Sequence, residues 1–245
     1  MTIKTKMIKK SEEYNMTSLF SLLPNEIKKI EIRPYLSPYS LMILRHFLIG
    51  ESLPSVFPHE IQREIVSSGI SLTLYFLDRM NKEFICEFAA ASRNIEMLQW
   101  AHENGYRWDQ FTSFAAARSG SLDCLRYAYE IGGFFTESTF YHAARSGSLA
   151  CVKFCHENQC PFDEDVCAGA AMGGSLECLV YLREKGYPWS KRTCLYAVKG
   201  DHIDCLIYAH ENGCPWGGSV YREALAHSSL RCIKYLEEKG CPLPD

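Results

Sequence analysis

The chain from Phe84 to Asp245 is a 27-residue unit written six times, and this fixed period constrains the fold more than any other feature. Shifted by one period, Ala89, Ala116, Ala143, Ala170, Ala197 and Ala224 fall in one column. Leu98, Leu125, Val152, Leu179, Leu206 and Ile233 fall in a second, and Trp100, Tyr127, Phe154, Tyr181, Tyr208 and Tyr235 in a third. A supersecondary unit this short cannot bury its own apolar face. It must stack on its neighbours, which makes a solenoid.

Each copy reads as two short antiparallel helices. Asp109, Thr136, Asp163 and Ser190 share a column of N-cap formers ahead of the first helix. In the copy that follows Asp109, QFTSFAAAR (110–118) is that helix, and Ser119-Gly120 is the turn after it. Asn94, Ser121, Ser148, Ser175, His202 and Ser229 precede the second helix, which in this copy is LDCLRYAYEI (122–131). Its apolar positions cover more than one narrow stripe, as expected of a helix packed between two neighbours. Gly105, Gly132, Gly186, Gly213 and Gly240 stand where a left-handed residue ends the second helix. Pro161, Pro188, Pro215 and Pro242 follow two residues later and block continuation. Trp108, Trp189 and Trp216 are expected to seal one unit against the next.

The repeat also explains residues that would otherwise suggest chemistry. Cys124, Cys151, Cys178, Cys205 and Cys232 form one column, headed by Met97, and Cys160, Cys214 and Cys241 form another. A thiol that alternates with Met or Tyr is a small buried apolar group. Cys151, Cys155, His156 and Cys160 have spacings compatible with zinc, but all four lie in repeat columns and are read as packing, so no metal or cofactor is expected. No nucleophile–base pair or phosphate-cradling loop stands outside the pattern, which argues against an enzyme. The Glu column (Glu103, Glu130, Glu157, Glu184, Glu211, Glu238) lies at the disfavoured end of the helix dipole. It is expected to accept a hydrogen bond from the adjoining loop.

Charge is uneven. Residues 1–83 carry 11 Lys/Arg and 9 Asp/Glu, residues 84–245 carry 15 and 20, so a net of +2 precedes a net of −5. An acidic solenoid is poorly suited to tracking phosphates, so nucleic acid is an unfavoured partner. An RNA-binding helical repeat remains the rival class. The opening MTIKTKMIKKSEEYNM lacks an apolar secretory core, and LMILRHFLIG (41–50) is too short and too charged to span a bilayer. With thiols reading as reduced, a cytoplasmic or nuclear protein is expected, with no membrane partner.

The order A-A-x-x-G-x-L-x-x-L-x-x-x-x-x-x-G from Ala116 to Gly132, recurring in all six copies, resembles the helical half of an ankyrin repeat. Ankyrin units run to about 33 residues and include a β-hairpin finger. The shorter unit here leaves no room for one. It is similar to the short ankyrin-like repeats, with a C-L-x-Y-x-H-E-N-G-C-P-W signature, of large DNA viruses and some protists. If the chain is viral, it acts inside the host cell. The expected fold is thus an all-α helical-repeat solenoid of ankyrin-like helix pairs without β-hairpin fingers, with a small helical N-terminal region. The resemblance implies a protein partner on the concave face formed by the first helices. On that face Phe114, Arg118, Tyr141, Arg145, Leu195 and Lys199 vary between copies at helical spacing and are the expected partner contacts.

The segment SLLPNEIKKIEIRPYLSPYSLMILRHF (21–47) resembles an F-box, with Leu23-Pro24, Glu26-Ile27, Ile30, Tyr35-Leu36-Ser37-Pro38, Leu41 and Leu44 as the matching elements. It departs from that pattern at Pro34, which interrupts the first helix, and by one extra residue between Pro24 and Pro38. The resemblance implies docking on a Skp-type adaptor of a cullin ubiquitin ligase through Leu23, Pro24, Ile27, Leu36, Leu41 and Leu44. The alternative is a plain scaffold whose N-terminal region caps the solenoid. The expected organisation is a polar tail (1–18), the F-box-like motif (19–47), a helical linker with a degenerate capping repeat (48–83), and six repeats (84–245).

Overall fold

The computed structural model describes residues 59–67 and 81–243. The F-box-like segment, with Leu23, Pro24, Ile27, Leu36, Leu41 and Leu44, lies outside the described residues, as does most of the degenerate repeat around Gly69, Leu72, Leu74 and Leu77. The chain divides into two compact units, Met1–Trp108 and Asp109–Asp245. Every described helix is short, and no strand occurs among the described residues.

In the first unit, α1 (His59–Ser67) packs on α2 (Ile85–Ala91), which pairs with α3 (Ile95–Glu103). Ile61, Ile65, Val66, Ile85, Phe88, Met97 and Leu98 form its core. The Gln62 carboxamide accepts from the Asn81 N–H at 2.8 Å, tying α1 to the start of the repeat.

The second unit holds five helix pairs. The first helices are α4 (Gln110–Ser119), α6 (Glu137–Arg145), α8 (Val166–Gly173), α10 (Lys191–Lys199) and α12 (Gly218–Ala226). The second helices are α5 (Leu122–Glu130), α7 (Leu149–Glu157), α9 (Leu176–Glu184), α11 (Ile203–Glu211) and α13 (Leu230–Glu238). Each row packs mainly on adjacent repeats, and the first helices lie closer together than the second. The columns explain this difference. Ala116, Ala143, Ala170, Ala197 and Ala224 are fully buried between first helices, whereas the half-buried aromatics Tyr127, Phe154, Tyr181 and Tyr208 hold the second helices apart. A stack tightened on one side bends toward it, so the first helices form the inner row of this unit.

Both ends of the helices are closed largely as the sequence indicates. Asp109 accepts from the N–H groups of Phe111 and Thr112, and Ser190 from that of Arg192. Ser121, Ser148 and Ser175 accept from Cys124, Cys151 and Cys178 at 3.3–3.4 Å. Asp163 differs. It is not the N-cap; its carboxylate accepts from Asp165 N–H at 2.9 Å in a preceding turn, and α8 begins only at Val166.

The C-terminal closure is the same in every second helix, a paired backbone bond of the Schellman type. In the copy ending at Gly186, Gly186 N–H donates to Arg183 O and Tyr187 N–H to Leu182 O, both at 3.0 Å. Gly105, Gly132, Gly186, Gly213 and Gly240 hold φ between 67° and 82°, and in the one copy without glycine Gln159 adopts φ 52°. Arg93, Asp201 and Ser228 likewise take φ of 53–60° at the ends of first helices.

The Glu column requires a correction. Glu103, Glu130, Glu157, Glu184, Glu211 and Glu238 are all exposed, and among the described residues none accepts a hydrogen bond from the loop. Glu238 alone meets a partner four residues back, Lys234 at 3.8 Å. The Schellman bonds and the Asn104, Asn158 and Asn212 amides, each donating at 2.8 Å to the carbonyl four residues earlier, already satisfy the helix end.

All twelve cysteines are buried free thiols. Burial is the main force pushing Cys205 and Cys232 up to about 12. Of the zinc-like set, Cys151, Cys155 and Cys160 sit in the packed interior, and His156 Nδ1 is hydrogen-bonded to the Tyr187 hydroxyl of the next repeat at 2.9 Å. Two of the three tryptophans bridge repeats as expected: Trp189 meets Tyr208 and Trp216 meets Tyr235, with ring centroids 6.2 Å apart in each case, while Trp108 meets His102 of its own repeat at 5.3 Å.

Candidate functional site

The first helices of the second unit are alike where they pack and different where they face outward. Within α4, Ala115, Ala116 and Ala117 are buried, Phe114 is half-buried and Arg118 is exposed. The same register in α6 leaves Tyr141 half-buried and Arg145 exposed, and in α10 leaves Leu195 half-buried and Lys199 exposed. The six residues picked out in the sequence therefore occupy two lines across the stack. Phe114, Tyr141 and Leu195 lie on one; Arg118, Arg145 and Lys199 lie on the other, one turn nearer the helix C-termini.

The aromatic line is continuous on its α4–α6 side. Phe111 and Phe114 meet edge to face at 6.2 Å, Phe114 lies 5.9 Å from the His142 ring, and His142 is 5.4 Å from Tyr141. Burial, then the Arg145 and Arg118 charges, hold His142 below its usual range. Its buried Nδ1 has no hydrogen-bond partner. Burial is also the main cause of the raised Tyr141 phenol, opposed by Arg145.

Two glycines set this patch in place. A Cβ on Gly169 would lie 2.7 Å from Tyr141 O and 3.0 Å from its ring, and one on Gly173 would lie 2.2 Å from Arg145 O. Helix α8 thus seats directly on the backbone of α6 beneath Tyr141 and Arg145. His142, Gly169 and Gly173 escape a reading based on variable columns. The only signal is the run AGAAMGG (168–174), in which Gly169 stands where the other copies carry Phe88, Ala115, His142, Tyr196 and Glu223, and Gly173 is matched only by Gly200.

The cations are not equivalent. Lys199 Nζ is 3.9 Å from Glu223, which also meets His227 at 3.0 Å, and Arg192 is ion-paired with Asp165. Among the described residues Arg118 and Arg145 have no carboxylate within ion-pair distance. All of Arg118, Arg145 and Lys199 lie in the last turn of their helices, where the macrodipole favours positive charge.

A second surface lies between α7 and α9. Leu149, Leu176, Val180 and Tyr181 line a shallow groove of about 540 Å³, flanked by Lys153, Glu177 and Glu184. Among the described residues no group of three or more Cys, His, Asp or Glu side chains is placed to hold a metal ion. No described helix is long and apolar enough to cross a membrane.

The fold and this face define a class: an all-α helical-repeat protein with a varied side-chain surface on a repeating frame. The chain is similar to the ankyrin repeat domain of human ASB11, at 18% identity, with 64% of this chain and 83% of that one covered and a TM-score of 0.49. No protein-family model matches the chain, and no curated protein matches it.

Proposed function

We propose that the protein is a non-enzymatic interaction module that holds another protein on the first helices of residues 109–245. One observation carries this reading. The residues that differ between repeats (Phe114, Arg118, Tyr141, Arg145, Leu195 and Lys199) are also the ones left exposed or half-exposed over a buried alanine frame. Aromatics and arginine are the side chains that most often anchor interfaces. The test is selection of a random peptide display library on the full chain. Binders should be enriched, and Phe114→Ala plus Tyr141→Ala should abolish their binding while Leu176→Ala on α9 leaves it intact. Failure to enrich, or binders indifferent to the first-helix changes, refutes the reading.

Within it, a finer role is that of substrate receptor for a cullin-type ubiquitin ligase, with residues 19–47 engaging a Skp-type adaptor. Its support is the sequence pattern of Leu23, Pro24, Ile27, Leu36, Leu41 and Leu44. A pull-down with the adaptor decides it. Wild type should bind and Leu23→Asp plus Ile27→Asp should not; lack of binding by wild type leaves the plain scaffold.

A further inference from the structure

Resting on the proposed interaction face, we infer that its partner is an acidic protein segment in polyproline II conformation, with a carboxylate at every third residue and apolar side chains between. The first argument is a segregation of charge hidden in the chain total. The five first helices of the second unit carry six Lys/Arg (118, 145, 191, 192, 199, 222) and two Glu (137, 223), a net of +4. The five second helices carry five Lys/Arg and nine Asp/Glu, a net of −4. The candidate face is the basic side of an acidic protein.

The second argument is what the cations lack. The helix dipole accounts for a positive residue in the last turn, but it leaves guanidinium donors unused. Among the described residues Arg118 and Arg145 are exposed on adjacent helices without a carboxylate partner, as are Lys191 and Arg222 further along the row, whereas Arg192 and Lys199 each have one. A planar guanidinium matches a carboxylate through two parallel hydrogen bonds.

Spacing then selects the shape of the ligand. Arg118 and Arg145 are equivalent residues of adjacent helices, and packed helices lie about 8–10 Å apart. A polyproline II chain turns once every 3 residues and rises about 3.1 Å per residue. It therefore returns a side chain to the same line about every 9 Å. A β-strand, which returns every second residue at about 7 Å, falls out of step. The next position on the cation line is the half-exposed Met172, so two acidic contacts would be followed by an apolar one. The parallel line of Phe114 and Tyr141 takes the intervening apolar side chains.

A nucleic acid fits less well. Phosphate tracking at useful affinity takes about 6–10 neutralised phosphates. This face offers four cations without a carboxylate partner among the described residues, Arg118, Arg145, Lys191 and Arg222, and the acidic second helices lie about one helix diameter away, near the screening length of physiological salt.

The test is fluorescence anisotropy with the full chain and a fluorescein-labelled (Glu-Leu-Pro)4 peptide. The residue before each proline is biased to the extended region, which presets the conformation. This peptide should bind at least tenfold more tightly than (Lys-Leu-Pro)4. Arg118→Gln and Arg145→Gln should each weaken it about tenfold, the loss of one charge-assisted contact. Phe114→Ala should weaken it several-fold without changing the salt dependence, and Arg126→Gln on α5 should have no effect. Circular dichroism verifies that each variant is folded. No binding, equal affinity for the two peptides, indifference to both arginine changes, or tighter binding of polyuridylate overturns the inference. Display-selected binders that are neutral or basic would overturn it as well, while leaving the interaction module itself standing.

Discussion

Gln159 and Gly186 occupy the same structural position in consecutive repeats, and exchanging their residue types isolates one energy term. Both follow the C-cap of a second helix. Both donate the same Schellman bond, Gln159 to His156 O at 3.1 Å and Gly186 to Arg183 O at 3.0 Å. Their φ values, 52° and 81°, lie in the left-handed region. Gln159 is exposed, and a Cβ on Gly186 would meet nothing within 4 Å, so neither side chain contributes packing. What remains is backbone energy. A side chain in this region costs about 1–2 kcal/mol, and glycine gives back about 0.5–1 kcal/mol through the greater freedom of its unfolded chain. Gln159→Gly should therefore stabilise by about 0.5–1 kcal/mol, and Gly186→Gln should destabilise by a similar amount. With a urea m-value of about 2 kcal/mol/M, the midpoints should move in opposite directions by about 0.3–0.5 M. Urea unfolding followed by far-UV circular dichroism measures both, and the double exchange should return near to wild type because the sites are independent. A destabilised Gln159→Gly protein would refute the reasoning, since it would mean that the glutamine side chain stabilises the turn.

Three other outcomes follow from the packing. Leu179→Ala, at a fully buried position between repeats, should cost about 2–5 kcal/mol in the same assay. Gly173→Ala should also destabilise, by about 1–3 kcal/mol, because a Cβ only 2.2 Å from Arg145 O forces two helix backbones apart; a neutral result would mean that α8 shifts freely. His210 is stacked on Trp216 at 3.6 Å and hydrogen-bonded to Tyr235, and burial, then the Lys239 charge, hold its pKa below 6.5. A neutral imidazole is thus favoured in the folded state, so its stabilising effect is complete above about pH 6.5 and is lost as pH falls toward the depressed value. His210→Gln should flatten the unfolding midpoint across that window, and an unchanged pH profile would reject the assignment.

Much of this architecture is legible in the sequence because each repeat places the same side chain at the same depth. The alanine and leucine columns become the buried interior, and the C′ glycines become left-handed turns, for this reason. The glutamate column misleads for a related one: recurrence in sequence marks a shared environment, but that environment here is solvent. The amides of Asn104, Asn158 and Asn212, one residue later, cap the carbonyls instead. Asp163 fails as an N-cap because Glu164 and Asp165 stay in a turn closed by the Asp163 carboxylate, so α8 starts two residues late, at Val166. The opposed charge of the two helix rows is invisible to a total of −5, since only the paired topology sorts Arg118 and Arg145 from Glu157 and Glu184.

The cysteine ladder gives the protein an internal reporter. Cys124, Cys151, Cys178, Cys205 and Cys232 place one thiol in each helix pair of the second unit, all at no more than 1% exposure. Each can meet an alkylating reagent only when its own repeat opens. A brief pulse of reagent followed by peptide mass mapping would therefore read opening frequencies along the stack, residue by residue, in the unmutated chain. Among the described pairs, α12–α13 leaves Ile233 half-exposed and Leu230 73% exposed, so Cys232 should label faster than the thiols of pairs covered on both sides.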